Sequence, residues 1–353
     1  MTNFKLLNSI VMKTFCLILI CLFAGLLVEA QGSSVQNEPV IIRPKVMKLV
    51  REIAKENILN GAYIDLSKKR NKQFKRYKRL NKISTNAELV ILTDNENPVV
   101  RSYAFWALSN RPKLDLLPIL QKHLYDTTKC KTHLGCFIYE ETVGDLYIET
   151  YIPEFVYGKL TPKADYKKEF IDSVLLNDKS IILKTKYDLL LKIKPEPKYY
   201  SRVKEIATTE NSPESILALA RYQNPDDVEI LKELFKKNNF GYYSIYAIRE
   251  FPDTRFYPIL VRAFVDGLAN KDFDYQKWRI LFQALAKYPS NETLKLFNDV
   301  FLIQNKDRLE TLTIFLKISL NKYPNQIFES LKDKLKLEPY QISQVSEQMN
   351  FEE

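Results

Sequence analysis

Ala107-Leu108-Ser109-Asn110-Arg111-Pro112 closes an apolar stretch, and its pattern returns three times. It reads Ala218-Leu219-Ala220-Arg221-Tyr222-Gln223, then Ala247-Ile248-Arg249-Glu250-Phe251-Pro252, then Ala284-Leu285-Ala286-Lys287-Tyr288-Pro289. The last three copies start 29 and 37 residues apart, and the first stands 111 residues before the second, about three units of the longer period. Each copy ends a helical stretch and is followed by a second amphipathic one. Periods of this length mark stacked helical pairs, because one pair cannot bury its own apolar face without a neighbour. The expectation is an all-α chain built as an α-solenoid of antiparallel helix pairs, a design that binds more often than it catalyses.

Working outward, Asn97-Pro98 opens the clearest helix: Asn suits the N-cap and Pro the first turn. Pro44 to Leu59 carries Val46, Leu49, Val50, Ile53 and Ala54 at helical spacing, which predicts an N-terminal cap. Further pairs are expected at 166–176 with 181–193, 198–209 with 212–221, 226–237 with 242–251, 256–268 with 276–288 and 292–303 with 308–321. The repeat domain then spans 44–337, with a possible boundary at 194–197 where Pro195 and Pro197 fall. Residues 126–142 break the rhythm and read as a loop. The stretch 338–353 reads as a polar, frayed tail. Only eight glycines occur in the chain, which fits helices joined by tight turns.

Upstream, Thr14 to Val28 is an apolar run following Lys13, and Val28-Glu29-Ala30 has the small-residue pattern of a cleavage site. The run is short for a bilayer span of about 20 residues, so 1–30 reads as a secretory signal peptide, with an uncleaved anchor as the alternative. Residues 31–43 then form a linker, and the expected place is the periplasm or the extracellular space. No later segment is apolar for long enough to span a membrane. Without residues 1–30 the chain carries 51 Lys plus Arg against 42 Asp plus Glu, a balance of +9 spread along its length.

The stretch Asp94-Asn95-Glu96-Asn97-Pro98-Val99-Val100-Arg101-Ser102-Tyr103-Ala104 resembles a HEAT-like repeat, in which Asp/Asn-Pro-x-Val-Arg opens the second helix of a pair. Pro98, Val100 and Arg101 match. Gly135-Cys136, Val143-Gly144-Asp145 and Trp278-Arg279 extend the likeness to exported HEAT-repeat proteins of Bacteroidetes-type bacteria over roughly residues 85–300. The resemblance implies an α-solenoid, a binding or scaffold role and no catalytic residues. It also implies that Arg101 pairs with an Asp of a neighbouring repeat, and that second helices line the concave face.

Candidate chemistry is sparse. Cys130-x2-His133-x2-Cys136 offers three zinc-type ligands without a fourth at a standard spacing, so no metal is expected. Outside the reducing cytoplasm Cys130 and Cys136 are the natural disulfide pair, the alternative being two unpaired thiols. Gly-x-Ser-x-Gly and His-Glu-x-x-His motifs are absent, and neither enzymatic activity nor a cofactor is expected. Ser67 to Lys82 reads as a very basic helix. Lys68, Lys69, Lys72, Lys75, Arg76 and Arg79 stand among Phe74, Tyr77 and Leu80, with no acid between Asp65 and Glu88. The plainer reading is a solvated face with docked aromatics. The functional one is an anionic envelope component, lipid or polysaccharide, since export argues against nucleic acid. For a protein or peptide partner the expected anchors are Tyr242, Tyr243 and Arg279.

Overall fold

Pro98–Ser109 shows how the chain builds a helix. The Asn97 side chain accepts hydrogen bonds from the amides of Val99 and Val100, satisfying donors that the first turn cannot pair internally. Nine of its twelve residues are buried, including Arg101 and Ser102, so neighbours surround it on nearly every side. Its central place follows from that burial. The computed structural model describes residues 41–64, 71–152, 165–210, 212–270 and 273–350. Residues 1–40, Lys68 and Lys69 lie outside these.

In chain order the helices are α1 (Pro44–Glu56), α2 (Lys72–Ile83), α3 (Asn86–Leu92), α4 (Pro98–Ser109), α5 (Leu117–His123) and α6 (Val143–Tyr151). There follow α7 (Asp165–Asn177), α8 (Lys184–Leu190), α9 (Pro197–Thr209), α10 (Pro213–Ala220), α11 (Val228–Lys237) and α12 (Tyr242–Glu250). Last come α13 (Tyr257–Ala269), α14 (Tyr275–Ala286), α15 (Asn291–Asp299), α16 (Lys306–Lys322) and α17 (Pro339–Asn350). The even-numbered helices from α2 to α16 pack each on the next in one unbroken series. Odd-numbered helices lie behind: α3 on α4, α5 on α6, α7 on α8, α9 on α10 and α13 on α14.

Composition sorts the two rows. In α11 only Val228, Leu231, Leu234 and Phe235 are buried, a single stripe at helical spacing. In α10 every residue from Ser215 to Ala220 is buried, so small side chains are needed to admit helices on both flanks. Local caps recur along the second row: Thr142, Ser212, Asp274 and Asn305 each accept an amide from the first turn that follows.

Three departures from the sequence reading stand out. First, the fold is mostly helical but not all-α. Leu59–Ile64 (β1), Lys129–Gly135 (β2) and Phe137–Thr142 (β3) form a sheet of order β1-β2-β3, parallel then antiparallel. The expected loop at 126–142 is therefore a hairpin. Its period-2 signal is short: Cys130 and Thr132 are buried while Lys129 and Lys131 are exposed. Second, the stretch 194–197 is a short turn that leads straight into α9. Pro197 opens α9, where a missing amide costs nothing, and α8 packs on α10 across the turn. Third, the polar tail is helical over α17, which buries Gln341 and Val345 and packs on α16. No described helix is long and apolar enough to cross a membrane.

Buried polar links tie successive units together. Arg101 donates through Nε and Nη2 to the two carboxylate oxygens of Asp126, at 2.7 and 3.0 Å. Asp126 follows α5, so the pair joins one helical pair to the next. Asp145 of α6 accepts from the Thr185 amide at 2.8 Å and from the Thr185 hydroxyl, capping α8 from the neighbouring unit.

Candidate functional site

Tyr242, Tyr246 and Arg249 recur at i, i+4 and i+7 on α12, and Gln276, Arg279 and Gln283 at i, i+3 and i+7 on α14. That spacing puts each set on one helix face. Because α12 packs on α14 and α14 on α16, the two faces and Lys322 of α16 line one groove of about 400 Å³.

Arg249 lies at its floor and is only 9% exposed. Its guanidinium sits 4.1 Å from the Tyr246 ring centroid. One arm donates to Gln283 Oε1, and Nε and Nη2 donate to Glu250 Oε1 at 3.1 and 2.8 Å. A planar cation stacked on an aromatic ring and held at its edges has one orientation. Tyr242 meets Tyr246 edge-on at 5.9 Å and Tyr243 at 5.3 Å. Burial raises the Tyr242 hydroxyl above its ordinary pKa. At the rim, Arg279 Nη2 donates to the backbone carbonyl of Gln348 in α17 at 3.2 Å. Just beyond, burial lowers the Lys287 pKa, and the positive charges of Arg249 and Lys322 push the same way against Glu250.

Of the expected anchors, Tyr242 and Arg279 meet in this groove. Tyr243 does not line it; its electrostatic neighbours are Glu214, Asp188 and Lys184. The sequence reading missed Tyr246, Arg249, Gln283 and Lys322, although the helical spacing on α12 (i, i+4, i+7) and on α14 (i, i+3, i+7) was available to find most of them. A roomier cleft, about 650 Å³, runs along α13 and α14 past Trp278. It is largely the apolar seam within one helical pair, and its Arg262 and Asp266 pair with each other at 3.4 Å.

The basic helix starts at Lys72, capped by Asn71, later than expected. Lys72, Lys75 and Arg79 are exposed, whereas Arg76 reaches Glu52 and Glu56 of α1 at 3.6 and 3.2 Å. Phe74, Tyr77 and Leu80 are buried, and Tyr77 stacks on Tyr103 at 5.0 Å and on Trp106 at 4.7 Å. The aromatics of this helix pack the row, and its cations face outward.

Among the described residues Cys130 and Cys136 are free thiols: Cys130 is buried near the start of β2 and Cys136 is exposed in the turn after it. An extended strand of this length separates its ends by roughly 20 Å. A disulfide needs about 6 Å between Cα atoms. The expected Cys130–Cys136 bridge is therefore incompatible with the strand. Cys130 and His133 also alternate onto opposite faces of β2, so the Cys-x2-His-x2-Cys spacing does not converge. No group of three or more His, Cys, Asp or Glu among the described residues is placed to hold a metal ion. His123 sits between Asp94 and Asp126, at 3.2 and 3.6 Å, with its ring 4.8 Å from that of Tyr147. It belongs to the Arg101 network.

Comparison with known protein families, with curated proteins and with solved structures finds no match to this chain.

Proposed function

We propose that this chain is an exported, non-enzymatic binding or scaffold protein, a HEAT-like α-solenoid that takes a protein or peptide partner along its row of second helices. One observation carries the reading. Side chains of α12, α14 and α16, three successive units, converge on one groove with a stacked Arg249, two tyrosines and two further cations. Arg and Tyr are the residues that most often concentrate binding energy at interfaces, because they offer much contact area and few rotors to freeze. The row of second helices also extends well past the groove, which suits a contact spread over several repeats. The Arg101–Asp126 bridge and the Asn97-Pro98 cap are the features that a HEAT-like unit would supply.

The test is capture of partners by residues 31–353 from an envelope extract, followed by hydrogen exchange on the complex. Protection across α12, α14 and α16 is expected. Protection confined to a single loop, or only to α2, would overturn the assignment.

A second reading rests on α2, whose Lys72, Lys75, Lys78, Arg79 and Lys82 are all exposed. This face would bind anionic lipid or polysaccharide of the envelope. Co-sedimentation with anionic vesicles that vanishes on Lys72→Glu with Lys75→Glu supports it; binding that survives the reversal removes it.

A further inference from the structure

We infer that α1 and α2 together form one basic face that seats this end of the helical series on an anionic lipid bilayer. The inference rests on the second reading of α2, enlarges the site to two helices and commits it to one partner.

The first ground is where the charge lies. Residues 41–83 carry 14 Lys plus Arg against 3 Asp plus Glu, a balance of +11. Residues 84–353 carry 37 against 38. The positive balance expected along the whole length is therefore concentrated in the first unit, and the remainder of the chain is close to neutral. Since α2 opens the even-numbered series and α1 packs on α2 and on α4, this charge sits at one end of the row. Such an asymmetry makes a field that a polyanionic surface feels and a neutral partner does not.

Geometry is the second. Arg76 of α2 reaches Glu52 and Glu56 of α1 at 3.6 and 3.2 Å. Lys72 and Arg79 stand one turn either side of Arg76, and Lys48 and Lys55 one turn either side of Glu52. Residues three and four apart share a helix face, so the two bridges bring both sets of cations onto one surface. Lys75 and Lys82 continue the arc on α2, opposite the buried Tyr77 and Leu80. All six cations are exposed, and none is paired with an acid among the described residues.

The third ground is the chemistry of the face. Five of the six cations are lysines, whose compact, hydrated charge on a flexible stem suits mobile headgroups better than one shaped ligand. A single-stranded nucleic acid would be held by bases stacked on exposed rings, and here Phe74 and Tyr77 are buried. The chain also enters α1 from residues 1–40, whose run from Thr14 to Val28 is the stretch that the sequence offers to a membrane. The basic face thus belongs to the unit nearest that run. With a bilayer on α1 and α2, the helices α12, α14 and α16 stay open to a protein partner, so one chain can hold that partner at a lipid surface.

The probe is a phosphatidylcholine vesicle containing one-third phosphatidylglycerol, floated with residues 31–353 and compared with a vesicle of phosphatidylcholine alone. The charged vesicle should bind at least tenfold more tightly, and raising salt from 50 to 300 mM should weaken it severalfold. Lys48→Glu with Lys55→Glu and, separately, Lys72→Glu with Arg79→Glu should each weaken binding about tenfold or more, with the melting temperature near that of the parent. Lys236→Glu with Lys237→Glu, the same charge change at exposed positions of α11, should leave it within about twofold. Equal binding to both vesicles, or equal weakening by the α11 pair, overturns the inference. Loss in the α2 pair with full binding in the α1 pair overturns the two-helix face and leaves the α2 reading standing. Binding to soluble heparin or to single-stranded DNA that is tighter than to the charged vesicle overturns the bilayer as partner.

Discussion

Arg101 and Asp126 are joined by two parallel hydrogen bonds, from Nε to Oδ2 at 2.7 Å and from Nη2 to Oδ1 at 3.0 Å, with both side chains largely out of solvent. The same guanidinium donates through Nη1 to the carbonyls of Asn95 and Glu96 at 2.9 Å each. One side chain thus fastens the turn before α4 to the turn after α5. Burial alone would disfavour the charged form of Asp126. The hydrogen bonds from His123, Arg101 and Thr128 outweigh it and hold the carboxyl below its ordinary pKa of 3.8.

Asp126→Ala leaves Arg101 buried without its counter-charge, and a loss of about 3–5 kcal/mol is expected at neutral pH. Because the folded pKa is depressed, the stabilisation is present above the unfolded value and is lost as pH falls through the folded one. Urea unfolding at pH 7 and again near pH 3 checks both points. The gap between parent and variant should narrow in acid. A variant within 1 kcal/mol of the parent at pH 7 refutes the role.

Glu149 presents the opposite sign. Burial first, then the charges of Glu141 and Asp145, raise its pKa from 4.5 to about 7. A raised carboxyl contributes stability below the unfolded pKa, and that contribution is lost as pH rises through the folded value. Glu149→Gln should flatten the pH dependence between about 5 and 8 and should stabilise the chain at pH 8 by about 1–3 kcal/mol. Melting temperatures across that range decide it; an unchanged slope would refute the assignment.

Cys130 and Cys136 should differ in reactivity. Burial pushes the Cys130 thiol up to about 12, and thiolate is the reactive form. In native protein a maleimide should label Cys136 within minutes and reach Cys130 only on unfolding. Mass spectrometry of unreduced protein that finds the two linked to each other contradicts the strand between them.

Tyr103 is fully buried; its hydroxyl accepts from the Asn60 amide at 2.7 Å and donates to the Asn60 carbonyl at 3.0 Å. Tyr103→Phe keeps the ring and strands both main-chain groups of β1, at a cost of about 1–3 kcal/mol. Amide exchange at Asn60 should accelerate much more than exchange in α14. Uniform acceleration throughout the chain would instead indicate a general loss of packing.

Much of the helical fold was legible because its signals are local. Asn97-Pro98 announces a cap, and the repeated Ala-Leu phrase marks where buried helices stop. The hairpin was not legible. Its strands are short, β1 pairs with residues far along the chain, and Cys130, Thr132 and the lysines between them make only a brief alternation. At the groove, Tyr242 and Arg279 were found as aromatic and cationic residues beside core positions. Arg249 was hidden inside a helix-end phrase, and Lys322 stands one unit further on.

The sequence by itself determined that the chain is mostly helical, where most of its helices lie, and which of their faces must be covered, since capping and apolar period are set by residues a few positions apart. Only the tertiary structure decided that α2 to α16 pack in one series, that Arg101 meets Asp126, that 126–142 adds strands to β1, and that Arg249, Arg279 and Lys322 share one groove. Those outcomes depend on which helix lies beside which. Contacts between units are chosen by shape, charge and burial summed over many residues, and no short window of the chain contains both partners.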